Sequence, residues 1–237
     1  MNTLNDLFRD LALGELSNLS MVENDTIIPQ KRPKIVSYTN EGLLALHSTF
    51  VLKEKDMLIE MREGVTNYHL LKRYAWSQYN EDNPPDRWNM PYIMDMVSDP
   101  FQEDVIKILA VYNSFNQKMP LNDHENARSV FNPQGNLLQV PFPIPGQALA
   151  IEYQAKHTPM DHCRCDEDIV LPDVLWRALK AYIAGKVCSH MNTQEMTAKG
   201  QEHMIIYDTI CQEVVEKDLV NTSSSTTNSR FQKRGWI

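Results

Sequence analysis

The sequence predicts an α+β protein: a four-helix bundle with a β-rich domain inserted between the second and third helices, followed by an extended C-terminal arm. Three observations predict it. Helical periodicity occupies the first fifty residues and returns after residue 170, whereas the stretch between them alternates in the β manner. The 237 residues are 42% apolar, enough for one large domain or two modest ones without metals or disulfides. The last seventeen residues are low in complexity until an aromatic and basic end. The expected domains are 1–55 with 170–220 for the bundle, 56–169 for the insert and 221–237 for the arm.

The first helix is expected over Asn5 to Leu16, where Leu4, Leu7, Phe8 and Leu11 make one apolar stripe with Asp6, Arg9 and Asp10 outside it. Residues 17–33, polar with two prolines and the pair Lys31-Arg32, read as a connector. A second helix is expected over Lys34 to Leu52, its buried side marked by Ile35, Tyr38, Leu43, Leu46, Phe50 and Val51, with Gly42 weakening it.

In the middle, Met57 to Arg62 before Glu63-Gly64 reads as strand then turn. Asp104 to Tyr112 is rich in β-branched residues. Ala127 to Phe131, the turn residues Asn132 to Asn136, and Leu137 to Val140 read as strand, turn, strand. Gln147 to Ala155 adds another strand, and Pro141, Pro143 and Pro145 before it fit an edge or a bend. A short helix is expected at His69 to Gln78, and residues 79–90 read as a polar loop.

A third helix is expected from Leu171-Pro172 to about Met191, proline being well tolerated at a first helical position. A fourth runs from about Thr193, a capping residue, to Leu219, with Ala198, Ile205, Ile206, Ile210 and Val214 taken as one side of it. Beyond it, Phe231, Lys233, Arg234, Trp236 and Ile237 after a polar tether read as a docking peptide, since an exposed Trp-Ile pair is costly without a partner.

The balance of 23 Lys and Arg against 31 Asp and Glu gives a net charge of −8, which disfavours gripping or reading nucleic acid. It suits a surface along which DNA slides without sticking. Four cysteines, an opening without basic and apolar leader regions, and no apolar run near the roughly 20 residues that span a bilayer predict a protein of the reducing cytoplasm, with no membrane partner. No Gly-x-Ser-x-Gly elbow, phosphate-binding glycine loop or cysteine signature is present, so no enzyme and no cofactor are expected. The sharpest chemical cluster is His157…His162-Cys163-Arg164-Cys165, zinc-type ligands without a second cysteine pair. The expectation there is a surface loop and no metal, with a small metal-dependent hydrolase as the alternative. Cys188 and Cys211 read as buried apolar residues, and His190 and His203 as structural.

Three stretches carry a resemblance: Gly14 to Ser20, Asn40 to Phe50, and Leu171 to Ala184 followed by Lys199 to His203 and Tyr207. Together they resemble the head-to-tail adaptor proteins of short-tailed bacteriophages. The likeness covers the helical segments, under half of the chain, and rests on packing motifs. It implies a virion neck protein assembled in the host cytoplasm, forming a ring of twelve subunits beneath the portal. Helices would surround a DNA channel and the β domain would face the tail nozzle or tube protein. It further implies that the arm reaches the portal, with Phe231, Trp236 and Ile237 as anchors and Lys233 and Arg234 meeting acidic groups. Another neck or tail subunit with different neighbours is the alternative.

Overall fold

A computed structural model describes residues 2–80, 82–85, 90–191 and 193–220. In chain order its strands and helices are β1 (Asn2–Thr3), α1 (Leu4–Leu13), β2 (Val22–Glu23), β3 (Thr26–Ile27), α2 (Arg32–Thr49), β4 (Glu54–Glu60), β5 (Asn67–His69), β6 (Ile93–Met94), β7 (Val105–Tyr112), β8 (Phe131–Gln134), β9 (Leu137–Gln139), β10 (Ala148–Ala155), β11 (Asp168–Ile169), α3 (Asp173–Ser189) and α4 (Gln194–Glu216). They fall into two compact units, one from the described residues of Met1–Leu52 and His157–Thr222, the other built on Lys53–Lys156.

The expected four-helix bundle with an inserted β domain is not what forms. The fold is mixed α+β, with four helices and eleven strands in four small sheets among the described residues. Strands are not confined to the middle of the chain, because β1 pairs with β11 and β2 with β3 among the helices of the first unit. Nor do the helices surround a common axis. The α3–α4 pair is the main helical contact, α2 packs on α3, and α1 lies chiefly against β3. Polar contacts join α1 to α3, where Trp176 Nε1 donates to Asp10 at 2.9 Å and Lys180 lies 3.6 Å from the same carboxylate.

The local chemistry explains the helix ends. Thr3 closes a full capping box with Asp6 at the start of α1: its hydroxyl accepts from the Asp6 amide, and the Asp6 carboxylate accepts from the Thr3 amide. That bond holds the Asp6 carboxyl below its ordinary range. Pro33 stands in the first turn of α2, Pro172 precedes α3, and Thr193 accepts the Met196 amide at 3.3 Å to start α4. Gly42 makes room rather than weakening α2, since a Cβ there would lie 2.9 Å from Leu179 Cδ1.

The second unit is organised by β10, which pairs antiparallel with both β4 and β7, while β6 adds to the far edge of β4. Placed centrally, β10 is buried on both faces from Leu149 to Ala155, including Glu152 and Gln154. A separate sheet, β5-β9-β8, completes this unit. The helix expected over His69 to Gln78 is instead β5 followed by two 3-10 turns, Lys72–Tyr74 and Trp76–Gln78. The segment has no stripe long enough to bury one helical face. The expected strand over Ala127 to Phe131 begins only at Phe131 and runs through Pro133, tolerated because β8 is an edge strand with a register shift there.

The α3–α4 crossing yields a prediction. A Cβ on Gly200 would stand 2.5 Å from Ser189 Oγ, 2.9 Å from the Ser189 amide nitrogen and 3.0 Å from the Gly185 carbonyl oxygen. Helix propensity alone would reward Gly200→Ala by about 1 kcal/mol. The clash with backbone should instead destabilise by about 1–3 kcal/mol, measured from urea unfolding followed by circular dichroism. A gain in stability would show that the two helices separate freely.

Candidate functional site

The first unit presents its outward chemistry on α4. Gly200, Tyr207 and Val214 are the buried residues of this 23-residue helix, facing α3, where the Tyr207 and Tyr182 rings meet edge to face at 5.3 Å. Ala198 and Ile205, expected in the same buried stripe as Val214, are exposed. Ile205 and Val214 are nine residues apart, half a rotation at about 100° per residue, so they occupy opposite faces. Ile205 and Val215 on α4, and Leu219 in the turn that follows it, are each more than half exposed among polar residues. Gln201, Asp208, Gln212 and Glu216 lie between them.

The second unit holds its own apolar surface. A cleft of about 500 Å3 is lined by Met61, Met119, Val140 and Leu149, with Phe115, Phe142 and Ile144 at its rim. Turn chemistry keeps these rim residues out of the core. The Asn113 side chain accepts from the Phe115 and Gln117 amides at 3.0 and 2.9 Å, and Asn116 adopts a φ of 62°. Phe142 and Ile144 alternate with Pro141, Pro143 and Pro145, which cannot donate to a sheet. Phe115 and Phe142 are 76% and 77% exposed, values that invite a partner.

The carboxylates of this unit act as pins. Asp104 takes Lys55 Nζ at 2.7 Å on one oxygen and the Tyr153 hydroxyl at 3.1 Å on the other. Asp95 accepts from the Ser77 amide and hydroxyl and from the Phe101 amide. Burial, with the Asp104 charge beside it, pushes the Tyr153 phenol far above its ordinary range, and burial does the same for Tyr92 and Tyr207.

The loop from His157 to Val170 joins the end of β10 to α3. It brings Asp161, His162 and Cys163 together, their ligand atoms all within 4.8 Å of one another. His157 is not among them. Its Nδ1 meets the Thr158 carbonyl at 2.6 Å and its Nε2 accepts the Val170 amide at 3.3 Å. Of the zinc-type residues of the sequence, only His162 and Cys163 fall in this cluster, with Asp161; His157 and Cys165 do not. The alternative of a hydrolase built on both histidines has no single centre here. Cys188 is buried in α3 and Cys211 half-buried in α4, where desolvation raises both thiols. His190 is a helix-end residue, its Nδ1 on the Lys186 carbonyl at 2.7 Å and its ring stacked on Tyr38.

Phe231, Lys233, Arg234, Trp236 and Ile237 lie outside the described residues. Among those described, no helix is long and apolar enough to cross a membrane. No model of a known protein family matches this chain, and a search of curated proteins finds no relative.

The three buried tyrosines give a pH dependence. A phenol whose folded pKa is raised contributes stability in full below the ordinary value of 10.0 and loses it as pH rises beyond that. The urea midpoint should therefore fall between about pH 9.5 and about pH 11. A midpoint that stays flat across that window would contradict the placement of these hydroxyls.

Proposed function

We propose that this chain is a structural subunit of a bacteriophage neck, a head-to-tail adaptor that closes into a ring between portal and tail nozzle, and that it is not an enzyme. The observation that carries the proposal is the outer face of α4. A helix that turns one side to α3 and leaves Ile205 and Val215 in water, with Leu219 exposed just beyond its end, is built to be covered by another chain. In a cyclic ring each subunit meets its neighbours through two different faces. The α4 face is one of them, and twelve copies close the ring.

The resemblance to short-tailed phage adaptors supports this reading at the positions where helices touch. Its stretches contain Gly42 against Leu179 and Tyr182, and Gly200 against Ser189 and Gly185. In the proposed ring the acidic subunits surround a passage through which DNA moves without being held. The cleft bordered by Phe115 and Phe142 receives the nozzle. Residues 221–237 reach the portal, Phe231, Trp236 and Ile237 as anchors and Lys233 and Arg234 on acidic portal groups.

The test is direct. Full-length protein should stack as rings on the portal of its own virus in negative-stain images, and a chain ending at Val220 should fail to attach. Ile205→Glu and Leu219→Glu should each weaken ring association at least about tenfold, ~1.4 kcal/mol, by sedimentation velocity, with unchanged circular dichroism. Attachment that survives the truncation removes the anchor residues from the portal. Association that survives both substitutions removes α4 from the ring contact, and no binding to portal in any form assigns the chain to another position in the neck or tail.

A further inference from the structure

We propose that in the free chain residues 230–237 dock on the second unit of their own chain, with Trp236 in an acid-lined cavity beside Met94 and Met96 and with Lys233 and Arg234 on Asp56 and Asp99. The proposal concerns the chain before any partner arrives, so it stands apart from the neck assignment.

The cavity lies along β4 and β6. Its volume is about 280 Å3, room for one large side chain rather than for a whole small molecule. Glu54, Asp56, Asp95 and Asp99 line it against one lysine, Lys55, whose ammonium is already held by Asp104 at 2.7 Å. Asp95 is fixed in place by the Ser77 and Phe101 amides, and Asp99 is exposed. Tyr153 shares the lining. Burial raises its phenol, and the charges of Asp104, Asp56 and Asp99 raise it further. A cleft lined by one sign of charge focuses its field outward, here toward cations.

Apolar side chains border the same opening. The Asp99 amide donates to the Met96 carbonyl at 3.0 Å, closing a turn that leaves Met96 64% and Val97 81% exposed. Met94 is exposed beside them. Methionine is unbranched and polarisable, and its sulfur packs well at the edge of an aromatic ring. The segment that complements this surface carries aromatic rings and positive charge together.

Residues 221–237 have that composition, with Phe231 and Trp236, with Arg230, Lys233 and Arg234, and with no acid. The segment leaves from a fixed point, because Val220 is buried in the core of the first unit. The polar residues 221–229 then serve as its tether. A short tether gives a segment an effective concentration in the millimolar range. Exposed ion pairs and one buried ring, weak between dilute copies, then suffice within one chain.

Photocross-linking of the full chain tests it, with Trp236→p-benzoylphenylalanine as the probe and isotopically heavy and light protein mixed at micromolar concentration. Benzophenone reacts preferentially with methionine, and the twelve methionines of the chain make the choice among them informative. Cross-links should join position 236 to Met94 or Met96, light to light and heavy to heavy. Asp99→Lys should lower that yield about fivefold with unchanged circular dichroism. Glu125→Lys, the same change of charge on an exposed residue outside the cavity, should leave it unaltered. Cross-links spread over other methionines, cross-links formed between heavy and light chains, or a yield indifferent to Asp99→Lys would overturn the docking.

Discussion

The first unit depends on how closely α3 and α4 approach. Gly185 and Gly200 face each other across that crossing, and a Cβ on either would meet the opposite helix within 3.2 Å. Two glycines inside helices sacrifice intrinsic propensity, about 1 kcal/mol each. The gain is contact: with no side chain between the backbones, Tyr182, Met204 and Tyr207 pack around the crossing. The same approach decides what α4 can offer. Met204, Ile206, Ile210 and Cys211 pack toward the core beside Tyr207 and Val214, and Ile205 and Val215, turned away from it, stay in water.

The second unit meets the same constraint with different means. Its interior is organised around β10, which has neighbours on both edges and is covered on both faces. Apolar residues that belong to loops rather than to this sheet are held out by turn chemistry, asparagine at 113 and proline at 141, 143 and 145. Phe115 and Phe142 are large enough to have been drawn inward had the backbone allowed it. Their exposure follows from local conformation, and the cleft they border is the result.

Much of this was legible in the sequence. The strands at Val105–Tyr112 and Ala148–Ala155 and the two long helices after residue 170 follow their predicted spans closely, because β-branched runs and sustained 3.6-residue periodicity are strong local signals. What failed was arrangement. The pairs β1–β11 and β2–β3 are two residues long, too short to leave a pattern, and they turn the expected bundle into a mixed layer. Ile205 belongs to the exposed side because the nine residues to Val214 are half a rotation of the helix, which an apolar list alone does not carry. At the loop, His157 and His162 look alike in sequence. Only the backbone partners of His157, at Thr158 and Val170, distinguish them. Asp161 is one acid among several in the sequence, and only the structure shows its carboxylate accepting the Cys163 amide, 3.3 Å from the His162 ring.

Charge sets the terms on which such a protein can assemble. Residues 221–237 carry Arg230, Lys233 and Arg234 and no acid, so the remaining residues hold 20 cationic against 31 acidic side chains, a net −11. Copies placed side by side repel one another, and salt relieves this only over distances beyond about 8 Å. Ion pairs within the first unit, such as Lys186 with Glu41 at 2.9 Å, already occupy several of the available cations. In the proposed ring, association between copies would have to rest on surface less acidic than the whole. Ile205, Val215 and Leu219 supply exposed apolar area there, with Asp208 and Glu216 among them. In the proposed ring, an apolar contact between subunits would offset that repulsion, and the basic residues after 220 would supply the sign of charge that the rest of the chain lacks.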